Sequence, residues 1–284
     1  MKVLVFAGTT EGRLFACRSA EVGFDTTASV ATEYGRILAE EKLRSENQKF
    51  QNKESFSNLK IIENRLGESQ MENLFSDFDF IVDATHPFAL EVTANIKKAC
   101  EASNKKYFRL LRPSSDFLKD SFKNCGSSFF EFDSLDELCG GICEFDEKCA
   151  SESKNLPNIF ISTGSKELSC FKKIANFAER CFVRVLPSID SVQKCIDGGF
   201  LPKNVIAMQG PFSVALNEAM FRETKAGILV TKESGRAGGF DEKIEAAKNC
   251  GMYVFSVKRP KENADGTFSD IEELIRKICE ENEK

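Results

Sequence analysis

The chain alternates between short apolar runs and longer segments whose apolar residues recur every three or four positions. Short runs of this kind, each followed by a Gly, Ser, Thr or Pro turn and a helix-period segment, are typical of βα units with a parallel sheet. The first part of the chain contains five predicted strands: Val3–Phe6, Thr26–Val30, Lys60–Ile62, Phe78–Asp83 and Tyr107–Leu110. Helices are predicted between them at Glu11–Val22, Tyr34–Leu43, Gln70–Phe75 and Phe88–Ser103.

A second alternating series follows and predicts a second parallel sheet. Its predicted strands are Ile159–Ser162, Phe182–Val185, Val205–Met208, Ile228–Val230 and Tyr253–Val257. Arg112-Pro113 breaks the first series, so we predict an α/β protein with two domains, residues 1–113 and 114–284. A closing helix at residues 270–281 is expected to pack on either domain.

Two segments lack a clear period. Arg44–Asn58 is strongly polar and is predicted to be a mobile loop. Ser114–Asn158 is rich in Ser, Asp, Glu, Cys and Phe, and only a short helix near Asp133–Leu138 is predicted there.

Composition narrows the class of protein. The 284 residues, 42% of them hydrophobic, suffice for two modest domains. No apolar run reaches the roughly 18 residues that span a membrane, and signal-peptide features are missing, so a cytoplasmic protein is expected. The 11 cysteines are scattered singly, which favours reduced thiols, and the closely spaced Cys139, Cys143 and Cys149 lack the paired spacing of a metal site. A net charge of −5 argues against a nucleic-acid surface.

Polar or glycine-containing turns follow six of the predicted strands, at the carboxyl ends where open α/β sheets bind ligands. Three lie in the first half and three in the second: Gly8-Thr9-Thr10-Glu11-Gly12-Arg13, Ala31-Thr32-Glu33-Tyr34-Gly35-Arg36, Thr85-His86-Pro87-Phe88, Thr163-Gly164-Ser165-Lys166, Gln209-Gly210-Pro211-Phe212-Ser213 and Lys232-Glu233-Ser234-Gly235. These turns form one crevice if the two sheets face each other.

The single histidine, His86, lies between a strand-like and a helix-like run. It is either a site residue or a turn residue that caps the following helix and fills space beside Pro87. The turn at Gly8 is open to two interpretations as well, a helix N-terminus that binds an anion or a tight turn with a Thr N-cap, and it does not match G-x-G-x-x-G. Thr163–Lys166 repeats the same arrangement, with a cation added.

Basic residues are concentrated near predicted strand ends: Arg13, Arg36, Arg109, Arg112, Arg184, Arg259 and the glycine-rich loop from Lys232. A guanidinium suits bidentate carboxylate or phosphate contacts, so this acidic protein is predicted to have a basic cleft, although for any one arginine a surface salt bridge is the better explanation. The sequence contains no nucleophile elbow, no P-loop and no acidic magnesium-binding cluster, which argues against hydrolysis and phosphoryl transfer.

Taken in order, the turns resemble those of the precorrin-6A reductases of cobalamin biosynthesis, including the cobalt-precorrin-6A reductases. The matching stretches are GTTEGR at Gly8, VATEYG at Val30, RLGESQM at Arg65, DATHPFALEVTAN at Asp83, RLLRP at Arg109, IFISTGSKEL at Ile159, RVLP at Arg184, IAMQGPFSVALN at Ile206, KESGRAGGFDEKIEAA at Lys232 and KRP at Lys258. Each is short, but the ordered set spans nearly the whole chain.

The resemblance implies two Rossmann-like domains with a cleft between them that holds a nicotinamide cofactor, NADPH or NADH, and an anionic tetrapyrrole. It implies reduction of one ring double bond, converting precorrin-6A or cobalt-precorrin-6A to the 6B form. His86 is then the candidate proton donor, with water as the competing source. No bound metal, nucleic acid or membrane is expected, and the protein is expected to be a monomer or a small homo-oligomer.

On this basis the cofactor is assigned to the second half of the chain and the macrocycle to the first. The predicted cofactor-binding residues are Thr163, Gly164, Ser165, Lys166, Gln209, Gly210, Pro211, Phe212, Lys232, Ser234 and Gly235. The predicted substrate-binding residues are Gly8, Thr9, Thr10, Glu11, Arg13, Tyr34, His86, Phe88, Arg109 and Arg112. Two alternatives remain, a non-catalytic tetrapyrrole or nucleotide carrier and a tetrapyrrole methyltransferase.

Overall fold

The computed structural model describes residues 1–50, 56–111, 128–235, 238–260 and 266–283, with residues 47–50 described by their backbone only. The chain divides into two compact units. The first unit comprises Met1–Pro113 and Lys261–Lys284, and the second comprises Ser114–Pro260. Residues 261–284, which the sequence boundary assigned to the second domain, therefore group with the first unit.

The first unit is built on a six-stranded parallel sheet. Its strands are β1 (Lys2–Phe6), β2 (Asp25–Val30), β3 (Leu59–Glu63), β4 (Phe80–Asp83), β5 (Lys106–Leu110) and β12 (Thr267–Phe268). Its helices are α1 (Thr10–Glu21), α2 (Glu33–Phe50), α3 (Glu68–Phe75), α4 (Leu90–Ala102) and α10 (Ile271–Asn282). The order β12-β5-β4-β1-β2-β3 is that of a doubly wound nucleotide-binding sheet, in which the strand order reverses beside β1.

Alternation along β1 shows how this sheet is buried on both faces. Val3 and Val5 belong to an apolar cluster that includes residues of α1 and α10, so the closing helix packs on the first sheet. Leu4 and Phe6 belong to a second cluster on the other face, built with residues of α3 and α4. Both faces of the strand are therefore covered by helices.

The second unit has the same plan. Its strands are β6 (Phe129–Phe132), β7 (Asn158–Ile161), β8 (Cys181–Val185), β9 (Val205–Ala207), β10 (Ala226–Lys232) and β11 (Tyr253–Val257). Its helices are α5 (Leu135–Ser151), α6 (Phe177–Arg180), α7 (Ile189–Asp197), α8 (Val214–Glu223) and α9 (Phe240–Asn249), with 3-10 helices at Leu168–Lys173 and Pro202–Asn204. The strand order β6-β11-β10-β7-β8-β9 reverses beside β7.

The sixth strand of each sheet was not predicted, although the α/β class and the parallel sheets are confirmed. β6 pairs with β11, and β12 pairs with β5. Along the chain, β5 of the first unit is followed by β6 of the second, and β11 of the second unit is followed by β12 of the first. β5 is thus followed by the strand that completes the second sheet, and β11 is followed by the strand that completes the first sheet.

The two segments without a clear period contain more regular structure than predicted. The predicted loop from Arg44 is wrong in its first part, because α2 continues through Phe50. The segment Ser114–Asn158 contains β6 and the whole of α5, where the prediction had only a short helix. Ser134 caps α5 by accepting a bond from Glu137 N at 3.1 Å. A Cβ atom at Gly141 would lie 2.6 Å from the Phe132 ring, so a glycine allows α5 to pack closely on β6.

Candidate functional site

In each sheet, the reversal of strand order marks the edge where doubly wound folds bind ligands. In the first unit this edge lies between β1 and β4, which are followed by the Gly8 turn and the Thr85 turn. The two turns touch each other: a Cβ atom at Gly8 would lie 3.5 Å from Thr85 Cα. The Thr9 hydroxyl also donates to Ala84 O at 2.9 Å. Two segments that the sequence singled out are therefore neighbours.

The Gly8 turn is a capped helix start. Thr9 Oγ1 accepts a hydrogen bond from Gly12 N at 3.2 Å and thereby caps α1. A Cβ atom at Gly12 would lie 2.8 Å from Ala84 Cβ and 2.9 Å from Ala7 Cα, so only glycine fits between α1 and the two strands. Because Thr9 is buried and bonded within the turn, its hydroxyl shapes the turn, while Gly8 is exposed and Thr10 is half-buried.

α1 and α2 both begin at this edge of the sheet and pack against each other. Arg13 Nη2 donates to Thr10 Oγ1 at 3.1 Å. Burial and then Glu41 raise the pKa of the Tyr34 phenol, and the Arg13 cation opposes this effect. Thr32 accepts a bond from Gly35 N at 3.0 Å and so begins α2. This part of the edge presents a cation and a phenol.

A buried ion pair supports the Thr85-His86 turn. Asp83 is fully buried and Arg109 is 1% exposed, and Arg109 Nη1 donates to Asp83 Oδ1 at 2.9 Å. The same Nη1 donates to the carbonyl oxygen of Thr85 at 3.1 Å, which ties β5 to the turn after β4. Thr93 and Tyr107 donate hydroxyl bonds to Asp83 Oδ2 at 2.8 and 3.1 Å. The structure therefore corrects the assignment of Arg109 as a substrate contact: it is a positioning residue whose charge is used inside the unit.

His86 is half-buried in the turn that this network holds. The Phe88 N–H donates to His86 Nδ1 at 3.3 Å, so the neutral ring carries its proton on Nε2. The two rings lie 5.8 Å apart at an angle of 34°. His86 O also accepts a bond from Ala89 N at 2.8 Å just before α4. The histidine is thus part of the turn as well as of the ligand edge.

In the second unit the corresponding edge lies between β7 and β10, which are followed by the Thr163 turn and the Lys232 segment. Lys232 Nζ pairs with Glu167 Oε2 at 3.0 Å and so joins the two segments. Gly164 has φ +85°, a conformation that favours glycine. The expectation of a positive α-helix end after β7 is wrong, because only a short 3-10 helix, Leu168–Lys173, follows.

Hydroxyl groups are gathered beside the Thr163 turn. Ser165 donates to Ser191 Oγ at 3.4 Å, and Ser188, which caps α7, donates to the same atom at 2.9 Å. Thr163 Oγ1 is buried and has no hydrogen-bond partner within the described residues. A buried hydroxyl without a partner is costly, and a ligand oxygen at this edge would satisfy it.

The Gln209–Ser213 turn lies beyond β9. A Cβ atom at Gly210 would lie 2.9 Å from the Phe212 ring, so glycine lets this ring fold back on its own turn. Phe212 stacks on the Arg184 guanidinium at 4.1 Å, and Ser213 caps α8. A Cβ atom at Gly239 would lie 3.4 Å from Pro211 Cβ, so this turn contacts the chain before α9. Gln209 is exposed, and its amide nitrogen donates to Gly210 O at 2.8 Å.

The remaining predicted residues have the following positions. Lys166 is exposed, Glu11 and Arg13 are half-buried, and Ser234 and Gly235 are buried. Arg112 and Arg236 lie outside the described residues. Arg36, one of the candidate basic residues, forms surface ion pairs with Glu40 at 2.6 Å and Glu63 at 3.5 Å.

Sequence reasoning missed three polar residues that the structure buries near these edges: Asp83, Asn217 and Lys243. Asp83 is the first residue of the stretch DATHPFALEVTAN, but the sequence analysis assigned no function to its side chain. Lys243 had a visible signal, because it shares a helical face with the buried Phe240, Ile244 and Ala247. A lysine at such a position is rare in a protein core unless it is paired.

The cysteines, the possible metal ligands and the apolar helices were also compared with the predictions from the sequence. Cys139 Sγ donates to Cys170 Sγ at 3.5 Å, so Cys139 contacts a cysteine from a distant part of the chain. Across the described ranges, no group of three or more His, Cys, Asp or Glu side chains could hold a metal ion. None of the helices in the same ranges is both long and apolar enough to cross a membrane.

Comparison with known proteins gives a consistent result. A family model described as Precorrin-6x reductase CbiJ/CobK matches residues 2–279. The cobalt-precorrin-6A reductase of Methanothermobacter thermautotrophicus is 33% identical, over 97% of this chain and 82% of the relative. That of Priestia megaterium is 31% identical, over 97% of both chains. The solved structure of a CobK precorrin-6A reductase superposes with a TM-score of 0.68 and 20% identity, covering 99% of this chain and 97% of that one, which supports the fold.

Proposed function

The chain belongs to the precorrin-6x reductase CbiJ/CobK family, and from that premise we propose that it reduces one double bond of cobalt-precorrin-6A to give the 6B form in cobalamin biosynthesis. The observation that carries this proposal is the family match over residues 2–279. Precorrin-6A without cobalt is the alternative substrate. The hydride donor is proposed to be NADPH or NADH.

Two doubly wound sheets support a two-ligand reaction. Each unit has its own reversal of strand order, which is the kind of edge where such folds bind nucleotides and other anionic ligands. We assign the macrocycle to the edge of the first unit, where Arg13 and Tyr34 offer a cation and a phenol to its carboxylates. We assign the cofactor to the edge of the second unit.

The second-unit edge has donors that suit phosphate groups. The buried, unpartnered hydroxyl of Thr163 and the ammonium group of Lys232 are of the types that hold phosphate oxygens in proteins. Gly164, with its positive φ, allows the backbone of the same turn to approach a ligand closely. These features fit a nicotinamide dinucleotide, which when bound supplies the hydride.

In this proposal the protein positions the reacting groups, stabilises the charge of the substrate and supplies a proton. The Asp83–Arg109 pair fixes the turn that carries His86, and a fixed donor is more effective than a mobile one. His86 is the proposed source of the proton that accompanies the hydride. Arg13 would stabilise substrate carboxylates beside the same turn.

Turnover with defined substrates tests this proposal. The purified protein is mixed with cobalt-precorrin-6A and either nicotinamide, and loss of the near-ultraviolet absorbance of the reduced cofactor is followed. We expect this loss only when the macrocycle is present. Binding of both ligands without any loss would favour the carrier, and consumption of S-adenosylmethionine with the reduced cofactor untouched would favour the methyltransferase.

A further inference from the structure

A buried basic cluster lies near the carboxyl edge of the second sheet. It comprises Arg184 near the end of β8, Phe212 before α8, Asn217 in the first turn of α8 and Lys243 in the first turn of α9. Both helices begin at this edge because β9 and β10 end there. We call these four residues the Arg184–Lys243 cluster.

Arg184 is buried without a carboxylate partner among the described residues. It is 7% exposed, and its Nη1 donates to Asn217 Oδ1 at 2.9 Å. Its guanidinium lies 4.1 Å from the centre of the Phe212 ring and 5.3 Å from that of Phe160. Burial lowers the pKa of Arg184 to about 10, so the group still carries its charge at neutral pH. Aromatic faces, one amide oxygen and the Met220 sulfur, 3.7 Å from Nη1, compensate this charge only partly.

Lys243 is a second buried basic group next to this one, because α9 begins after Gly239, where a Cβ atom would lie 3.4 Å from Pro211 Cβ, in the turn whose Phe212 stacks on Arg184. It is 7% exposed, and within the described residues its side chain makes neither a hydrogen bond nor an ion pair. Burial, followed by the neighbouring charge of Arg184, lowers the pKa of Lys243 to about 7, while Glu242 on the same helix opposes the shift.

Among the described residues, the elements packed against α9 add no counter-charge to Lys243 beyond Glu242. In α8, Glu218 pairs with Arg222 at 2.8 Å, and Glu223 is exposed. β11, with the sequence YVFSV, carries no charged residue. The groups that set the charge of Lys243 are thus Arg184 and Glu242.

Two neighbouring basic groups that are largely buried without a bonded carboxylate are unfavourable in their charged forms, because little water reaches them and no ion pair neutralises them. The cluster lies at the edge where this fold class binds ligands, and the Thr163 hydroxyl at the same edge also lacks a partner within the described residues. An anion bound there would compensate the charge of both side chains.

We propose that the Arg184–Lys243 cluster binds an anionic oxygen group of a ligand and that Lys243 takes up one proton from solvent when this group binds. The group is a phosphate of a nucleotide or a carboxylate of a tetrapyrrole. The inference deepens the proposed function and rests on it for these two ligand sources. The bound anion stabilises the ammonium form of Lys243, so binding and protonation are linked.

Isothermal titration calorimetry in buffers of different ionisation enthalpy measures this proton uptake. Two probes separate the sources: ADP-ribose carries nucleotide phosphates without a nicotinamide ring, and uroporphyrin carries tetrapyrrole carboxylates. Both keep a nearly constant charge in the range used. For the probe that occupies the cluster, we expect wild-type affinity about tenfold weaker at about pH 8 than at about pH 6, with nearly one proton taken up at the higher pH.

Three variants assign the proton to Lys243. Lys243→Met removes a buried charge without leaving a cavity, and it should bind weakly with no proton uptake at either pH. Lys243→Arg stays charged and should bind equally well at both values, again without uptake. Lys203→Met is the control, because Lys203 is exposed in the 3-10 helix before β9, at the opposite end of that strand, and should behave like wild type.

Uptake with ADP-ribose identifies a phosphate site, and uptake with uroporphyrin identifies a carboxylate site. The inference is overturned if wild type takes up no proton with either probe, or if uptake persists in Lys243→Met. Neither probe is reduced or oxidised, so these outcomes are independent of turnover. Macrocycle reduction without linked uptake would remove the inference alone, whereas linked uptake without reduction would remove the proposed function alone.

Discussion

The two ligand edges of this protein differ in how their buried charges are balanced. At the edge of the first unit, Asp83 and Arg109 form a buried ion pair that hydroxyl groups complete. At the edge of the second unit, Arg184 and Lys243 are buried without an ion pair in the described part of the chain. The first edge is therefore organised before a ligand binds, whereas the second is expected to become balanced only when an anion occupies it.

The strongest test of this contrast is removal of the carboxylate in the first unit. Asp83→Asn is expected to lower the free energy of unfolding by about 3–5 kcal/mol, because it leaves the Arg109 charge buried without a counterion. Denaturant unfolding followed by circular dichroism measures the change. The control is Glu63→Gln, whose side chain is 39% exposed and lies 3.5 Å from Arg36, and which should change stability by less than about 1 kcal/mol. Equal midpoints for Asp83→Asn and wild type would contradict the pre-organised edge.

The next largest effect concerns what the first edge does. His86→Ala is expected to lower kcat about a hundredfold with little change in KM, since a positioned proton donor contributes at least this much. Stopped-flow or steady-state turnover with cobalt-precorrin-6A measures it. His86→Asn is the matched control, because its amide oxygen can accept the Phe88 N–H bond and restore the turn without supplying a proton. Full activity in His86→Ala would leave this edge with a binding role only.

Substituting one glycine in α1 and one in α5 by alanine tests how tightly these helices are packed in the two units. Gly12→Ala should cost about 1–3 kcal/mol, because its new methyl group would meet Ala84 Cβ at 2.8 Å and Ala7 Cα at 2.9 Å. Gly140→Ala in α5 has open space around the new methyl group and should stabilise by roughly 0.5–1 kcal/mol. Unfolding midpoints of both variants and of wild type, measured in parallel, give the two changes in stability. Similar values for the two variants would mean that α1 can move away from its sheet at little cost.

The smallest effect is expected when one buried threonine hydroxyl is removed from each unit. Thr93→Val removes the 2.8 Å bond to Asp83 and should destabilise by about 1–2 kcal/mol, whereas Thr163→Val removes an unpartnered buried hydroxyl and should leave stability unchanged or slightly higher. Thr163→Val should at the same time weaken binding of NADPH or NADH, measured by fluorescence titration. Unchanged cofactor affinity in this variant would argue against the assignment of Thr163.

Sequence patterning predicted ten of the strands that the structure describes, and several of these, such as β1, β4 and β7, are buried on both faces and therefore appear as short apolar runs. It missed β12, which has two residues and is defined only by its pairing with β5. It also missed most of α5, where Gly140 and Gly141 lower the helix propensity and Asp146 interrupts the buried face. Asp146 is balanced by Arg180 at 2.7 Å, a partner from a distant part of the chain.

Part of the candidate site could be predicted, because local sequence patterns indicate where each strand ends. A turn that follows a parallel strand must lie at the carboxyl edge, so the positions of Gly8, His86 and Thr163 followed from strand order alone. The roles of Arg109 and Lys243 did not follow, because a charged residue in a sequence window looks the same whether its partner is a ligand, a buried carboxylate or nothing. Only the fold pairs Asp83 with Arg109 and brings the start of α9, which carries Lys243, next to the turn whose Phe212 stacks on Arg184.

The sequence by itself determined the α/β class, the parallel sheets and the segments at their carboxyl ends, since periodicity and turn chemistry are local properties that residues a few positions apart specify. The tertiary structure alone decided that β12 and α10 complete the first unit, that Arg109 is an internal support, and that Arg184 and Lys243 share a buried position. These features depend on contacts between residues far apart in the chain, and burial and the balance of charge arise only when such contacts form.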